Sequence, residues 1–217
     1  MTGISFINLL AALLVISSLL VVLSKTIVKA AKLYALQSLI LVALFIALAY
    51  VMGSKELYLW SCTAFITKVL LVPAMLLVIF KKMGSPELNY ESKLTPLRSI
   101  VLTALELIVC FILVKSIKLP TALEVYPALA ISLGHFFIGL SCIITQRNIF
   151  KQILGYCLME NGSHLTLALL APAAPELVEI GVATDAIFAV LIMALVAWRI
   201  YRTKESLDAN DLMELKG

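Results

Sequence analysis

Charge is scarce in this chain. Asp, Glu, Lys and Arg make up 14% of its 217 residues, against about 25% in a soluble domain. Cysteine is scarce as well: Cys62, Cys110, Cys142 and Cys157 stand far apart, each inside an apolar run. They form no CxxC pair and no Cys/His cluster, which leaves zinc, iron–sulfur or nickel–iron ligation by this chain without support. No metal or other cofactor is expected, and each thiol reads as a small buried hydrophobe. A basic patch is missing too. The net charge of +4 comes from Lys and Arg that bracket apolar runs, so nucleic acid is not an expected partner.

What fills the space is aliphatic. Hydrophobic residues reach 62%, against about 45–50% in a soluble domain, and a globule of this size has too little interior for them. The same figures exclude disorder, collagen and a disulfide scaffold. The class is a polytopic membrane protein. A spanning helix needs about 20 mostly apolar residues, and seven stretches qualify: 4–23, 33–52, 57–80, 97–117, 125–145, 150–170 and 180–200. The first has no Lys or Arg before it and no small-residue cleavage site, so it reads as a retained helix. The expected fold is all-α, with seven transmembrane helices.

Lys and Arg give an orientation. Lys25, Lys29, Lys32, Lys81, Lys82, Lys93, Arg98, Arg147, Lys151, Arg199, Arg202, Lys204 and Lys216 all fall at one set of span ends. Only Lys55, Lys115 and Lys118 fall at the other. The expected topology is N-terminus outside and C-terminus cytoplasmic. Tyr58, Trp60, Tyr126, Trp198 and Tyr201 lie near span ends, where interfacial anchoring accounts for them.

One basic residue fits neither end. Lys68 falls near the middle of the third span, as do Glu106 in the fourth, His135 in the fifth and Glu160 in the sixth. His164 follows Glu160 by one turn, and Asp185 lies in the outer third of the seventh span. A mid-helix charge costs about 2.5–3.5 kcal/mol on insertion scales, which a dozen aliphatic residues at roughly −0.3 to −0.6 kcal/mol each offset. Insertion is therefore feasible, and the polar groups still need a reason to be there. Two readings stay open. Lys68 pairs with Glu106, Glu160 or Asp185 as interhelical glue, or the set is a row of titratable groups that passes protons at mid-membrane depth.

Local patterns favour a polar seam. Cys157, Glu160, Asn161 and His164 share one face of the sixth helix, and Ser132, His135, Gly139 and Cys142 form a small-and-polar strip on the fifth. Pro73 lacks the N–H that would bond the Val69 carbonyl, so a kink is expected there, one turn from Lys68. That bare carbonyl suits either a water-lined site or an ordinary membrane-helix proline. An offset of 122 residues aligns Ile27, Lys29, Tyr34, Leu36, Leu48 and Ala49 with Ile149, Lys151, Tyr156, Leu158, Leu170 and Ala171. In that register Ser38 stands where Glu160 does and Thr63 where Asp185 does. The expected organisation is a three-helix unit at 1–82, read as a degenerate repeat, then a linker and fourth helix at 83–124. A second three-helix unit with its tail occupies 125–217.

Residues 132–169, SLGHFFIGLSCIITQRNIFKQILGYCLMENGSHLTLAL, resemble the first two helices of the small K subunit of respiratory complex I. The shared features are the basic-Asn turn, Arg147-Asn148, and a following helix with a buried Glu before Asn, Glu160-Asn161. VATDAIFAVLIMALVAWRIYR resembles the third helix and LDANDLMELKG the C-terminus of that family. Over the whole length, WSCTAFITKVLLVPAM, GYCLMENGSHL and APELVEIGVATDAIFAV resemble the component E family of hydrogenase-4, membrane subunits of formate hydrogenlyase type nickel–iron hydrogenase complexes.

The resemblance implies a cofactor-free subunit of a hydrogenase complex in the bacterial cytoplasmic (inner) membrane. Its partners would be antiporter-like and hydrogenase-proximal membrane subunits, besides the lipid bilayer. The acids carried over to the proton pathway are Glu160 and Asp185; Lys68, Glu106, His135 and His164 join them on physical grounds alone. Two departures from the K pattern stand out. Aligned on Asn161 and Ser163, the complex I Glu falls on Cys157, and the third-helix Glu is replaced by the shorter Asp185. Alternatives are a K-like subunit of a multisubunit cation/proton antiporter, or a scaffold that translocates nothing.

Overall fold

The computed structural model describes residues 3–84, 92–116 and 126–212. These form seven long helices: α1 (Gly3–Leu23), α2 (Ile27–Met52), α3 (Lys55–Lys82), α4 (Pro96–Ser116), α5 (Tyr126–Thr145), α6 (Ile149–Leu170) and α7 (Glu176–Lys204). A short 3₁₀ turn, Ala209–Leu212, follows. Six of the helices are long and apolar enough to cross a membrane. The seventh, α6, has the length at 22 residues but carries Lys151, Glu160, Asn161 and His164. Lys118 and Lys216 lie outside the described residues.

Short polar connectors set the helix ends. Thr26 caps α2 by accepting the Lys29 N–H at 3.3 Å, and Gly53 ends it in the left-handed region at φ 65°. Ser54 then caps α3 through the Leu57 N–H at 3.2 Å. Asn148 caps α6 by accepting the N–H groups of Phe150 and Lys151 at 2.9 and 3.2 Å. These two caps recur at the offset seen in the sequence, Thr26 to Asn148 being 122 residues. Adding that offset to α1 and α3 gives 125–145 and 177–204, against the observed Tyr126–Thr145 and Glu176–Lys204.

Helices α1, α2, α5 and α6 form the centre, with α3 and α7 packed along one side and α4 against α5 on the other. The closest packing is α5 on α6, and glycine makes it possible. A Cβ on Gly139 would lie 2.6 Å from Met159 Cα, one on Gly155 2.9 Å from the Ile143 N, and one on Gly162 2.8 Å from Phe136 Cα. These obstacles are backbone atoms and cannot swing aside. The small-and-polar strip read from the α5 sequence is thus the surface on which α6 lies.

Two apolar clusters divide the bundle along its length. One gathers Leu41, Leu44, Phe45, Leu48, Leu57, Trp60 and Leu165, toward the end where α3 begins. The other gathers Val21, Ile27, Val72, Leu76, Phe80, Phe150 and Leu154, toward the end rich in Lys and Arg. Lys151 belongs to this basic end, yet it is not a solvated flank: 5% exposed, its ammonium donates to the carbonyls of Val21, Val22 and Ser24 at 2.7–2.9 Å. It satisfies the terminal carbonyls of α1, the end of a helix that favours a cation. The tail closes the same end. Arg147 and Asp208 form an ion pair at 2.5 Å, and backbone bonds join Ile149 to Leu207 and Ala209 to Arg147.

A bulky residue at Gly139 should therefore destabilise the bundle severely. Gly139→Leu is expected to lower the thermal midpoint of the detergent-solubilised protein by a margin matching at least about 1–3 kcal/mol of overpacking. Gly134→Ala, which meets only the tip of the Leu107 side chain first, should cost far less.

Candidate functional site

Between the two apolar clusters lies a layer of polar side chains contributed by five helices. Lys68 of α3 is its centre, 1% exposed, with its ammonium 2.5 Å from Glu160 Oε1 of α6. The same ammonium donates to Asn161 Oδ1 at 3.0 Å. Asn161 Nδ2 donates to Gln37 Oε1 of α2 at 2.8 Å and to Ser38 Oγ at 3.3 Å. Gln37 Nε2 lies 3.1 Å from His135 Nε2 of α5, and the other ring nitrogen, Nδ1, lies 3.0 Å from Ser18 Oγ of α1. Ser18 hands its hydroxyl proton to the Leu14 carbonyl at 2.7 Å. If that is its role, Ser18 accepts from His135 Nδ1–H, and Nε2 then accepts from Gln37. Lys68, Glu160 and His135, three of the expected residues, thus stand in one continuous set of contacts.

The local fold around Lys68 explains how it reaches this layer. Phe65–Leu71 is a π-helical turn, and the Val72 N–H bonds Thr67 O five residues back. Pro73 follows at once, with no N–H to give. The expected break at the proline is thus accommodated by a wider turn that contains Lys68. Such turns shift the phase of a helix by about one residue and recur at functional sites. Asn161 contributes a second contact, a neutral one, which matters because a buried ammonium with a single partner remains under-solvated.

The other expected residues stand apart from this set. Glu106 of α4 accepts a short hydrogen bond from Ser141 of α5, and its Oε2 is buried without a partner among the described residues. Asp185 is exposed on α7. Among the described residues, no hydrogen bond or ion pair joins either acid to Lys68. Of the three acids weighed as partners for Lys68, the structure selects Glu160.

His164 is fully buried, and its Nε2 abuts Oε2 of Glu179, a residue that sequence reasoning missed. Glu179 lies in the first turn of α7 with its side chain 0% exposed. The His164 ring sits between two aromatic rings, Phe45 with centroids 4.9 Å apart and Trp60 at 5.4 Å. Trp60 is accordingly a core residue at 0% exposure and not the interfacial anchor expected from its place near a span end. No group of three His, Cys, Asp or Glu suited to a metal ion occurs among the described residues.

The model of NADH-ubiquinone/plastoquinone oxidoreductase chain 4L matches residues 127–217, which begin with α5 and include the Glu160–Asn161 helix. Hydrogenase-4 component E of Escherichia coli strain K12 is 50% identical over the whole of both chains, and that of Shigella flexneri is 50% identical over the same extent. The chain belongs to the hydrogenase-4 component E family. An uncharacterised protein of Mycobacterium tuberculosis is 30% identical over 36% of each chain. No solved structure matches. The family assignment covers all seven helices, whereas the chain 4L match takes in only the last three and the tail. Lys68 and the residues of α1 and α2 that complete the polar layer therefore lie outside the part shared with chain 4L.

The ion pair should be strongly coupled. Neutralising one member strands a buried charge at a cost of about 3–5 kcal/mol, while removing both leaves none. Lys68→Met and Glu160→Gln are each expected to lower the yield of folded protein, and the double variant to recover most of it. A double-mutant cycle on thermal stability checks this, and additive losses would count against the pair.

Proposed function

We propose that this chain is a membrane subunit of a hydrogenase complex and that its mid-depth polar layer carries protons. Hydrogen chemistry belongs to a different, metal-bearing subunit of a formate hydrogenlyase type assembly. The partners are antiporter-like and hydrogenase-proximal membrane subunits in the bacterial cytoplasmic membrane. Family membership over the full chain supports the hydrogenase setting, and favours it over an antiporter. The single observation that carries the proton role is the Lys68–Glu160 pair at mid-membrane depth, continued through Asn161 and Gln37 to His135.

The reasoning is one of cost and number. An interhelical pair for glue needs two residues; here five helices bring polar groups to one level, each against its own insertion penalty. A conformational or electrostatic change at Lys68, transmitted from a neighbouring subunit, would load or unload Glu160. The π-helical turn gives α3 a place to adjust without breaking the helix. His135 has a partner on each ring nitrogen, and the Gln37 amide N–H, a donor only, holds the neutral ring in its Nδ1–H tautomer. Glu106 and Asp185, outside the continuous set, would face neighbouring subunits or a second branch.

The chain's orientation follows the Lys/Arg asymmetry, with the basic end cytoplasmic. The three-helix unit at 1–82 is read as a degenerate copy of the unit at 125–217 in the same orientation. Support comes from the matching helix bounds and the paired caps Thr26 and Asn148.

The purified complex in proteoliposomes tests the proton role. Lys68→Met/Glu160→Gln, which leaves no stranded charge, is expected to abolish proton translocation in complexes that still assemble. Hydrogen evolution would then be uncoupled or slowed. Translocation and hydrogen evolution both at the unsubstituted level would refute the proposal. Loss of assembly alone, with full turnover per assembled complex, would mark the chain as a scaffold.

A further inference from the structure

The buried pair of His164 and Glu179 is not explained by packing. Both side chains are 0% exposed, and they sit within the apolar cluster at the end opposite the basic turns. His164 Nε2 and Glu179 Oε2 abut, yet neither they nor His164 Nδ1 and Glu179 Oε1 make a hydrogen bond among the described residues. Trp60 Nε1, on the ring packed against His164, is likewise buried and unpartnered. A buried polar atom left unmatched costs about 1–3 kcal/mol. Five such atoms in one cluster of His164, Glu179 and Trp60 mark a place built for something other than stability.

Its position suggests what. His164 follows Glu160 by four residues on α6, about 6 Å further along the axis, on the same face. Glu179 lies three residues inside the start of α7, and Trp60 five residues inside the start of α3. The pair therefore stands between the mid-depth layer and the end of the bundle where α3 and α7 begin. Phe45 and Trp60 hold the imidazole from two sides, and the α6 backbone fixes its height.

We propose that His164 and Glu179 form a proton branch from Glu160 toward the far end of the bundle, holding one transferable proton between them. This rests on the reading of Glu160 as a proton carrier. The transfer balances without a redox partner. His164 Nδ1 accepts a proton that leaves Glu160 as carboxylic acid, giving an imidazolium and a carboxylate. The imidazolium passes its Nε2 proton to Glu179 Oε2, which restores a neutral imidazole and leaves Glu179 a carboxylic acid. That acid releases its proton toward the far end; the imidazole is left with its proton on Nδ1, and the branch is reset once water takes the Nδ1 proton and returns one to Nε2. Trp60 Nε1–H is a donor only, so it can stabilise an anionic oxygen there but cannot relay.

Glu179→Gln removes the acid while keeping size and polarity. In proteoliposomes of the assembled complex it is expected to reduce proton translocation on the order of 100-fold, with Glu179→Asp recovering a substantial part. Difference infrared spectra of the unsubstituted complex should show a carboxylic-acid C=O band during turnover that is lost in Glu179→Gln. If Glu179→Gln prevents assembly, His164→Asn/Glu179→Gln removes both members and is expected to assemble without translocating. Normal translocation in a Glu179 variant, while the Glu160 variant is inactive, would overturn the branch and leave the proposed function standing. Normal translocation in both would overturn the two together.

Discussion

An ammonium and a carboxylate buried midway along two helices define this molecule. Separately, Lys68 and Glu160 would each be costly to bury; together, with Asn161 as a further acceptor, they form a unit that tolerates burial. The arrangement demands that α3 and α6 present these residues at one height. It also requires α2 to lie close enough for Gln37 and Ser38 to hold the Asn161 amide. The glycines at 139, 155 and 162 let α5 approach α6, which brings His135 into the same layer. Apolar clusters above and below seal it.

The bundle's ends serve that layer by fixing axial positions. Lys151 ties the start of α6 to the end of α1, and Asp208 ties the tail to the turn before α6. Both anchors act on α6, the helix that carries Glu160 and His164. By contrast α4 touches mainly α5, and most of its apolar side chains face outward. Among the described residues, its Glu106 is hydrogen-bonded by Ser141 alone.

Reading the fold from sequence worked because apolar runs of spanning length are unambiguous, and because a charge inside one stands out. Lys68, Glu160, His135 and His164 were legible for that reason. Which acid Lys68 meets was not, since span order says nothing about which helices are neighbours. Glu179 was hidden for a different reason. It falls one residue before the expected seventh span, 180–200, whereas α7 starts at Glu176 and encloses it. Asp185 attracted notice by its deeper place in the run, but six residues turn a helix by about 600°, leaving it about 120° around from Glu179. One faces the core and the other does not. Lys151 looked like one more topogenic charge, because a sequence cannot show that its chain reaches across to the carbonyls of α1.

The most direct test of the central claim, that Glu160 is a link in a proton path and not only the partner of Lys68, is a structure of the assembled complex in lipid, at a resolution that orders water. The account predicts a continuous hydrogen-bonded path from Glu160, through water or side chains, to a titratable group of a neighbouring subunit. Glu160 enclosed by Lys68 and apolar side chains, with no polar path leading away in any catalytic state, would contradict it.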